Sequence, residues 1–130
     1  MRTITNFILL AFITLGSAFG QTLTNNDMGK MHQTYEANQA RFKRDYVGKV
    51  FTARLPLFSV TEDMFFKNSY RIGLGNMSSF TSEVDCVVSD RATVEKIMNW
   101  DKGNMITITG TVSDHIMGSI ILEKCQVSRN

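Results

Sequence analysis

The chain has 130 residues, of which 14 are basic and 12 acidic, and it contains two cysteines and one proline. The small net charge of +2 argues against strong electrostatic capture of nucleic acid or of an anionic membrane. A chain of this length fits one domain with a modest core.

The first twenty residues are typical of a signal peptide. Arg2 precedes an apolar run over 7–15 that is too short to span a bilayer, and small residues follow at the positions that a signal peptidase reads. We therefore predict cleavage before Gln21 and a periplasmic or secreted protein without a membrane span. An uncleaved membrane anchor is the alternative.

The polar residues 21–26 predict a flexible segment before a domain that spans 27–130. From Asp27 to Tyr46, side chains recur at spacings of three and four, which predicts one amphipathic helix packed against the rest of the domain. This stripe comprises Met28, Met31, Tyr35, Asn38, Phe42 and Tyr46. Asn26 is the predicted cap of the helix, and Gly48 is expected to end it.

Five segments rich in β-branched and aromatic residues predict strands over 50–60, 69–74, 81–88, 105–112 and 119–127. Pro56 cannot donate to a strand ladder, so the first strand should bend there. The alternation of the last strand slips after Leu122, which predicts a bulge at Glu123–Lys124. Residues 113–118 are predicted to form a turn.

A cap at Ser89 or Asp90 and an apolar patch at helical spacing predict a short helix that ends at Trp100. The fold is then mainly β: a five-stranded OB-like Greek-key barrel with an N-terminal helix and a short helix between strands three and four. Strand three pairs with strand five in that topology, which would allow a disulfide between Cys86 and Cys125. Two buried free thiols are the alternative. A cystatin-like helix on a sheet is the other fold considered, and the short helix argues against it.

Several short stretches also match a known pattern. They are Asn38-Gln39-Ala40, Tyr46-Val47-Gly48-Lys49, Val84-Asp85-Cys86, the turn and strand over 102–110, and Leu122-Glu123-Lys124-Cys125. In these the chain resembles the tRNA-anti-like OB-fold family of small bacterial proteins, over residues 35–127. The resemblance implies an OB fold. It implies no shared reaction or catalytic residue, and the family name does not establish tRNA binding.

OB barrels usually bind through the outer face of strands two and three and the adjoining loops. Here that surface is predicted to include Phe65, Phe66, Lys67, Tyr70, Arg71, Glu83, Asp85 and the turn around Asp114-His115. Aromatic and basic side chains together could form a platform for bases or sugars. Alternatively, one phenylalanine closes the end of the barrel and the basic side chains are solvated.

The sequence offers little for catalysis or for metal binding. His32 with Met28 and Met31 could form a soft copper site, but methionines at helical spacing are far more often core residues. Neither His32 nor His115 is accompanied by a nucleophile motif. We therefore expect no enzyme activity, no cofactor and no metal.

These observations favour a monomeric, exported, non-enzymatic binding module of unknown ligand in the bacterial periplasm or cell envelope. A protein–protein or inhibitor subunit of the envelope is the first alternative. A single-stranded nucleic-acid binder is the second, and it is disfavoured because Glu83 and Asp85 would repel a phosphate backbone.

Overall fold

The computed structural model describes residues 22–129. It contains three helices and five strands, in the order α1 (Asn25–Ala37), α2 (Gln39–Tyr46), β1 (Val50–Glu62), β2 (Tyr70–Leu74), β3 (Val84–Val88), α3 (Arg91–Ile97), β4 (Met105–Ile116) and β5 (Ser119–Arg129). The predicted signal peptide and its cleavage position lie outside the described residues. None of the helices within 22–129 has the length and apolar character needed to cross a membrane.

The five strands close into a barrel in the order β1-β2-β3-β5-β4. Neighbouring strands are antiparallel except for β3 and β5, which run parallel and pair Val84–Cys86 with Ile120–Leu122. The predicted OB-like barrel, with a short helix between strands three and four, is confirmed. The cystatin-like alternative is wrong, because the strands form a closed barrel rather than an open sheet.

Strand β1 pairs with two neighbouring strands in turn, and it changes partner at Pro56. Residues up to Pro56 pair with β4, and residues from Leu57 onward pair with β2. The register shifts between Leu57 and Ser59, so that Phe58 has no partner in the ladder. The bend predicted at the proline is therefore confirmed, and it is followed at once by a bulge.

Cys86 and Cys125 form a disulfide, as their predicted positions on neighbouring strands allow. The predicted bulge in β5 is also confirmed: Lys124 has a φ of +54°, and Lys124 and Cys125 together stand opposite Gly110 of β4. A Cβ atom on Gly110 would lie 2.8 Å from the Cys125 Sγ atom and 2.9 Å from the Glu123 carbonyl oxygen. Glycine at this position therefore makes room for the disulfide.

The single N-terminal helix predicted from the sequence is wrong, because the chain forms two helices separated at Asn38. The backbone there is extended, with φ −165° and ψ 103°. The Asn38 side-chain oxygen accepts a hydrogen bond from the backbone N–H of Arg41 at 3.0 Å and so caps α2. Asparagine competes in this way with the backbone hydrogen bonds of a continuous helix.

Helix α1 begins two residues earlier than predicted. Its cap is Thr24 rather than Asn26, and the Thr24 and Asp27 side chains satisfy each other's backbone N–H groups in a capping box. Leu23 exchanges backbone hydrogen bonds with Val50 and Thr52 of β1, at 2.9 and 2.8 Å. The segment expected to be flexible thus lies along the edge of β1 that does not face β4.

The turn predicted over 113–118 is much shorter in the structure. Strand β4 continues to Ile116 and pairs there with Ser119, the first residue of β5. Met117 and Gly118 alone form the turn, and both have positive φ values, of 50° and 88°. Two residues with positive φ are typical of the turn that joins twisted antiparallel strands.

The core of the barrel is continuous with apolar side chains from all three helices. Met31 of α1, Phe42 of α2 and Ile97 of α3 are buried in the same cluster as the inward-facing strand residues. The N-terminal helices lie near the end of β4, and α3 precedes its start. The helices therefore contribute side chains to the core, whereas Phe65 and Phe66 of the β1–β2 loop are exposed.

We expect Gly110→Ala to destabilise the fold by about 1–3 kcal/mol, because the new methyl group would overlap the disulfide and a backbone carbonyl. Gly29→Ala is the matched control. Gly29 lies in α1 with open space around its Cα atom, so alanine should stabilise the helix by about 0.5–1 kcal/mol. Urea denaturation of both oxidised proteins measures the difference, and equal effects would contradict the packing argument.

Candidate functional site

The loop between β1 and β2 is a hydrogen-bonded turn that presents three large apolar side chains. Asp63 fixes it, because its carboxylate accepts from the backbone N–H of Phe66 at 3.0 Å and its own N–H donates to the Ser69 carbonyl at 2.9 Å. Met64, Phe65 and Phe66 are 92%, 82% and 65% exposed. Exposure of this size in an ordered loop is typical of a contact surface.

Arg71 lies on the outer face of β2 between two carboxylates. Its guanidinium nitrogens are 3.6 Å from the Asp63 carboxylate and 3.7 Å from the Asp85 carboxylate. Both acidic side chains are largely buried, whereas that of Arg71 is 41% exposed. The positive charge of Arg71 is therefore balanced within the protein, and little of it is available to attract a phosphate group.

Beside Arg71 the surface has a buried polar floor. Ser82 donates a hydrogen bond to the Asp85 carboxylate, and Ser119 donates one to the Ser82 carbonyl. The sequence permits this arrangement through Gly73 of β2, whose Cα atom faces the pair; a Cβ atom there would lie 2.9 Å from the Ser82 Cβ atom. The floor thus links the loop before β3 to the start of β5.

Burial raises the pKa of the Asp85 carboxyl above its ordinary value. The Ser82 hydrogen bond and the nearby Arg71 charge act in the opposite direction, because both favour the ionised form. Since the folded pKa is raised, the contribution of this group to stability is fully present below its unfolded pKa. That contribution is lost as the pH rises through the folded pKa.

Two adjoining depressions meet at Arg71, and we call them together the β2–β3 groove. One, of about 310 Å³, is lined by Thr61, Glu62, Asp63, Met64, Phe65 and Arg71. The other, of about 240 Å³, is lined by Phe58, Arg71, Thr81, Ser82, Asp85, Ile116, Met117 and Ser119. The groove therefore has an apolar rim, and its one guanidinium, that of Arg71, is paired with the Asp63 and Asp85 carboxylates.

The structure brings together only some of the residues predicted to form the binding face. Phe65, Phe66 and Lys67 are exposed in the β1–β2 loop, and Arg71 lies beside it. Tyr70 does not join them. It directly precedes Arg71 in a strand, so its side chain points to the opposite face, where it packs against the core.

His115 and Glu83 also lie apart from this groove. His115 is 2% exposed, because β4 continues through the predicted turn and carries this side chain beneath α1. Glu83 does not line either depression, and its charge instead influences His32. Asp85, which was expected on an open face, is largely buried.

Sequence reasoning missed the contributions of Phe58, Ser82 and Met117 to the groove. Phe58 is half-buried and lines the groove at the bulge after Pro56, and the proline was a usable signal for this bulge. Ser82 was assigned to a strand, and Met117 was assigned to a longer turn. Nothing in the local sequence indicates that these two residues meet across the β3–β5 pairing.

A further depression in the described part of the chain, of about 520 Å³, lies elsewhere. It is bordered by α3 and the ends of β4 and β5 and includes Asp90, Thr93, Lys96 and Gln126. Lys96 is the cation in this lining, and its ammonium group donates to the Val127 carbonyl at 2.6 Å. This polar depression lacks the apolar rim of the β2–β3 groove, and we do not place the binding site there.

No cluster of three or more histidine, cysteine, aspartate or glutamate side chains suitable for a metal ion occurs within residues 22–129. Met31, one of the residues considered for a copper site, is fully buried in the core. His32 forms a hydrogen bond to His115 rather than facing the methionines as a shared site.

Comparison with one solved structure supports the fold. A lipoprotein of Klebsiella pneumoniae to which nucleic-acid binding is ascribed superposes with a TM-score of 0.59 at 16% identity, over 83% of this chain and 91% of that one. Asparaginyl-tRNA synthetase of Pyrococcus horikoshii gives a TM-score of 0.48 at 16% identity, over 65% of this chain and only 20% of the synthetase. No protein-family model matches the chain, and no curated protein sequence matches it significantly.

We expect the Asp85 carboxyl to titrate above its ordinary pKa, and Ser82→Ala to raise this pKa further by removing a hydrogen bond that favours the ionised form. Carboxyl carbon chemical shifts followed by NMR through acid titration measure both values. Ser128→Ala, an exposed serine on β5, is the control and should leave the titration unchanged. A midpoint at or below the ordinary value, or a fall in Ser82→Ala, would contradict the assignment.

Proposed function

We propose that this chain is an exported, monomeric, non-enzymatic binding module that holds a segment of another protein of the bacterial envelope in the β2–β3 groove. One observation carries the proposal. Ten large apolar side chains are exposed within residues 22–129, and four of them line the groove. They are Met64, Phe65, Ile116 and Met117.

A protein segment suits this surface better than a strongly charged ligand does. The charged side chains that line the groove are Glu62, Asp63, Asp85 and Arg71, three carboxylates against one guanidinium. Methionine and phenylalanine side chains adapt to apolar partners, and contiguous apolar surface is a common mark of protein contact sites. The hydrogen-bonded loop and hairpin hold this rim in place before any partner arrives.

Export and the absence of catalysis belong to the same proposal. The Cys86–Cys125 disulfide supports an oxidising compartment, as does the signal-like sequence over 1–20. The Ser82, Asp85 and Ser119 groups lie together, but their contacts include no histidine that could act as a base. The resemblance of residues 35–127 to the tRNA-anti-like OB-fold family also supports a binding role.

Single-stranded nucleic acid is the second candidate ligand. Phe65 and Phe66 are exposed side by side next to Lys67, an arrangement on which bases could stack. The Klebsiella lipoprotein of the same fold carries a description as nucleic-acid-binding, which does not agree with our expectation that nucleic acid is not a partner. The carboxylates around Arg71 favour the protein ligand.

To test the proposal, peptides are selected from a displayed random library on the purified oxidised protein, and their affinities are measured by calorimetry. We expect the double variant Phe65→Ser/Met117→Ser to bind the selected peptides at least about tenfold more weakly, because two apolar anchors are lost. Met98→Ser removes an exposed methionine at the end of α3 and should leave the affinity unchanged.

An oligothymidylate of about 15 nucleotides provides the nucleic-acid arm of the same experiment. We expect no binding of it at about 0.15 M salt. Oligonucleotide binding that weakens with salt and requires Phe65 would replace the protein ligand with nucleic acid. Selected peptides that bind the double variant as tightly as the parent protein would overturn the site.

A further inference from the structure

The two histidines of the chain meet in the structure although 83 residues separate them. His32 lies on α1 and His115 on β4, and their Nδ1 and Nε2 atoms are 2.8 Å apart. His115 is 2% exposed and His32 is half-buried. This hydrogen bond is therefore a direct polar link between the first helix and the barrel, in largely buried surroundings.

Aromatic rings enclose the pair from both N-terminal helices. Tyr35 of α1 stacks on the His115 ring with centroids 4.0 Å apart, and Phe42 of α2 approaches it edge-on at 5.5 Å. Tyr35 and Phe42 also contact each other at 5.6 Å. The His115 side chain of β4 is thus in contact with aromatic side chains of both helices.

The hydrogen bond requires one of the two facing nitrogens to carry a proton and the other to lack it. Two neutral rings satisfy this condition, but two imidazolium rings do not, because both facing nitrogens would then be donors. The remaining ring nitrogens, His32 Nε2 and His115 Nδ1, have no hydrogen-bond partner among the described residues. A second proton on the donor ring would lie on its outer nitrogen, buried without an acceptor from that part of the chain. A second proton on the acceptor ring would occupy the facing nitrogen and remove the hydrogen bond.

Apart from the two rings themselves, the charged groups that act on the pair are carboxylates. Glu36 of α1 and Glu83 before β3 act on His32, and Glu36 and Asp114 act on His115. These carboxylates raise the pKa values of the rings, but burial lowers them more, and the charge of His32 lowers that of His115 further. Neutral rings are therefore favoured while the helices are docked.

We propose that the His32–His115 pair is an acid-sensitive latch, which holds α1 and α2 on the barrel at neutral pH and releases them when both rings become protonated. Strand pairing and the Cys86–Cys125 disulfide close the barrel, and neither involves the N-terminal helices. Release would expose the Met31 and Phe42 side chains and the core surface that they cover. It would also expose the edge of β1 to which Leu23 is hydrogen-bonded.

The direction of the pH dependence follows from proton binding. In the released state the rings have the ordinary histidine pKa of about 6.5, and in the docked state their pKa values are lower. Above the ordinary value both states are neutral, and the latch is closed. As the pH falls from there towards the docked values, the released state binds more protons, so acidification favours release.

Hydrogen–deuterium exchange on the full oxidised chain tests the latch at about pH 7.5 and about pH 5, after correction for intrinsic exchange rates. We expect protection over residues 25–46 to fall by about tenfold or more at the lower pH, while β4 and β5 keep theirs. His32→Gln keeps a hydrogen-bonding group but cannot titrate, so its helices should show little pH dependence. Glu95→Gln, an exposed carboxylate on α3, is the control and should behave as the parent chain does.

If the helices of His32→Gln are undocked at both pH values, the proposal is tested on the parent chain alone. NMR titration of its two imidazoles must then show protonation midpoints below the ordinary histidine value that coincide with the loss of protection over 25–46. The latch would be overturned by any of three results. These are midpoints at the ordinary histidine value, helices that lose protection together with the barrel, and a pH dependence that persists in His32→Gln.

Discussion

The parallel pairing of β3 with β5 is the constraint on which the barrel and its groove both depend. It joins only three residue pairs, Val84–Cys86 with Ile120–Leu122, and yet it closes the barrel. The disulfide between Cys86 and Cys125 bridges these strands across a sequence separation of 39. In the chain-entropy account, a disulfide that closes a loop of that size raises the free energy of unfolding by about 4 kcal/mol, because it lowers the entropy of the unfolded chain. A short pairing of distant segments is thereby made stable in a small domain.

The pairing of β3 with β5 also determines the position of the β2–β3 groove. The backbone N–H of Ile120 donates to the Glu83 carbonyl at 2.8 Å, and one residue earlier the Ser119 hydroxyl donates to the Ser82 carbonyl. These contacts bring the β4–β5 hairpin, with its exposed Met117, against the loop that precedes β3. The apolar rim is therefore assembled by strand pairing, and its position does not rely on loop conformation alone.

The sequence predicted features that a few neighbouring residues determine. Pro56 removes a backbone donor, and the chain leaves β4 for β2 at that residue. The alternation of apolar and polar residues in β5 is interrupted after Leu122, and this interruption predicted the bulge at Lys124. Asn38 shows where such reasoning failed: helical spacing suggested one continuous stripe, but the capping preference of the asparagine side chain prevailed over it. A pattern of apolar positions thus says less about helix continuity than the capping residues within it do.

Features that depend on distant residues could not be predicted. Nothing near His32 or His115 indicates that they meet, because their contact requires α1 to lie across the end of β4. Asp85 was expected to be an exposed acid from strand alternation, and its burial depends on Gly73 of β2 and on Ser82. Tyr70 is different, because strict alternation with Arg71 would have placed it on the inner face from sequence alone.

The net charge of the chain does not describe the charge at either depression. The whole chain is slightly basic, but Arg71, the cation of the groove, lies between two carboxylates. Lys96, the cation of the depression beside α3, donates a hydrogen bond to a backbone carbonyl. Long-range attraction is consequently weak at both places, and a ligand of the groove must gain its affinity from apolar contact with the rim. The closure of β3 on β5 determines which side chains the barrel presents together at the groove.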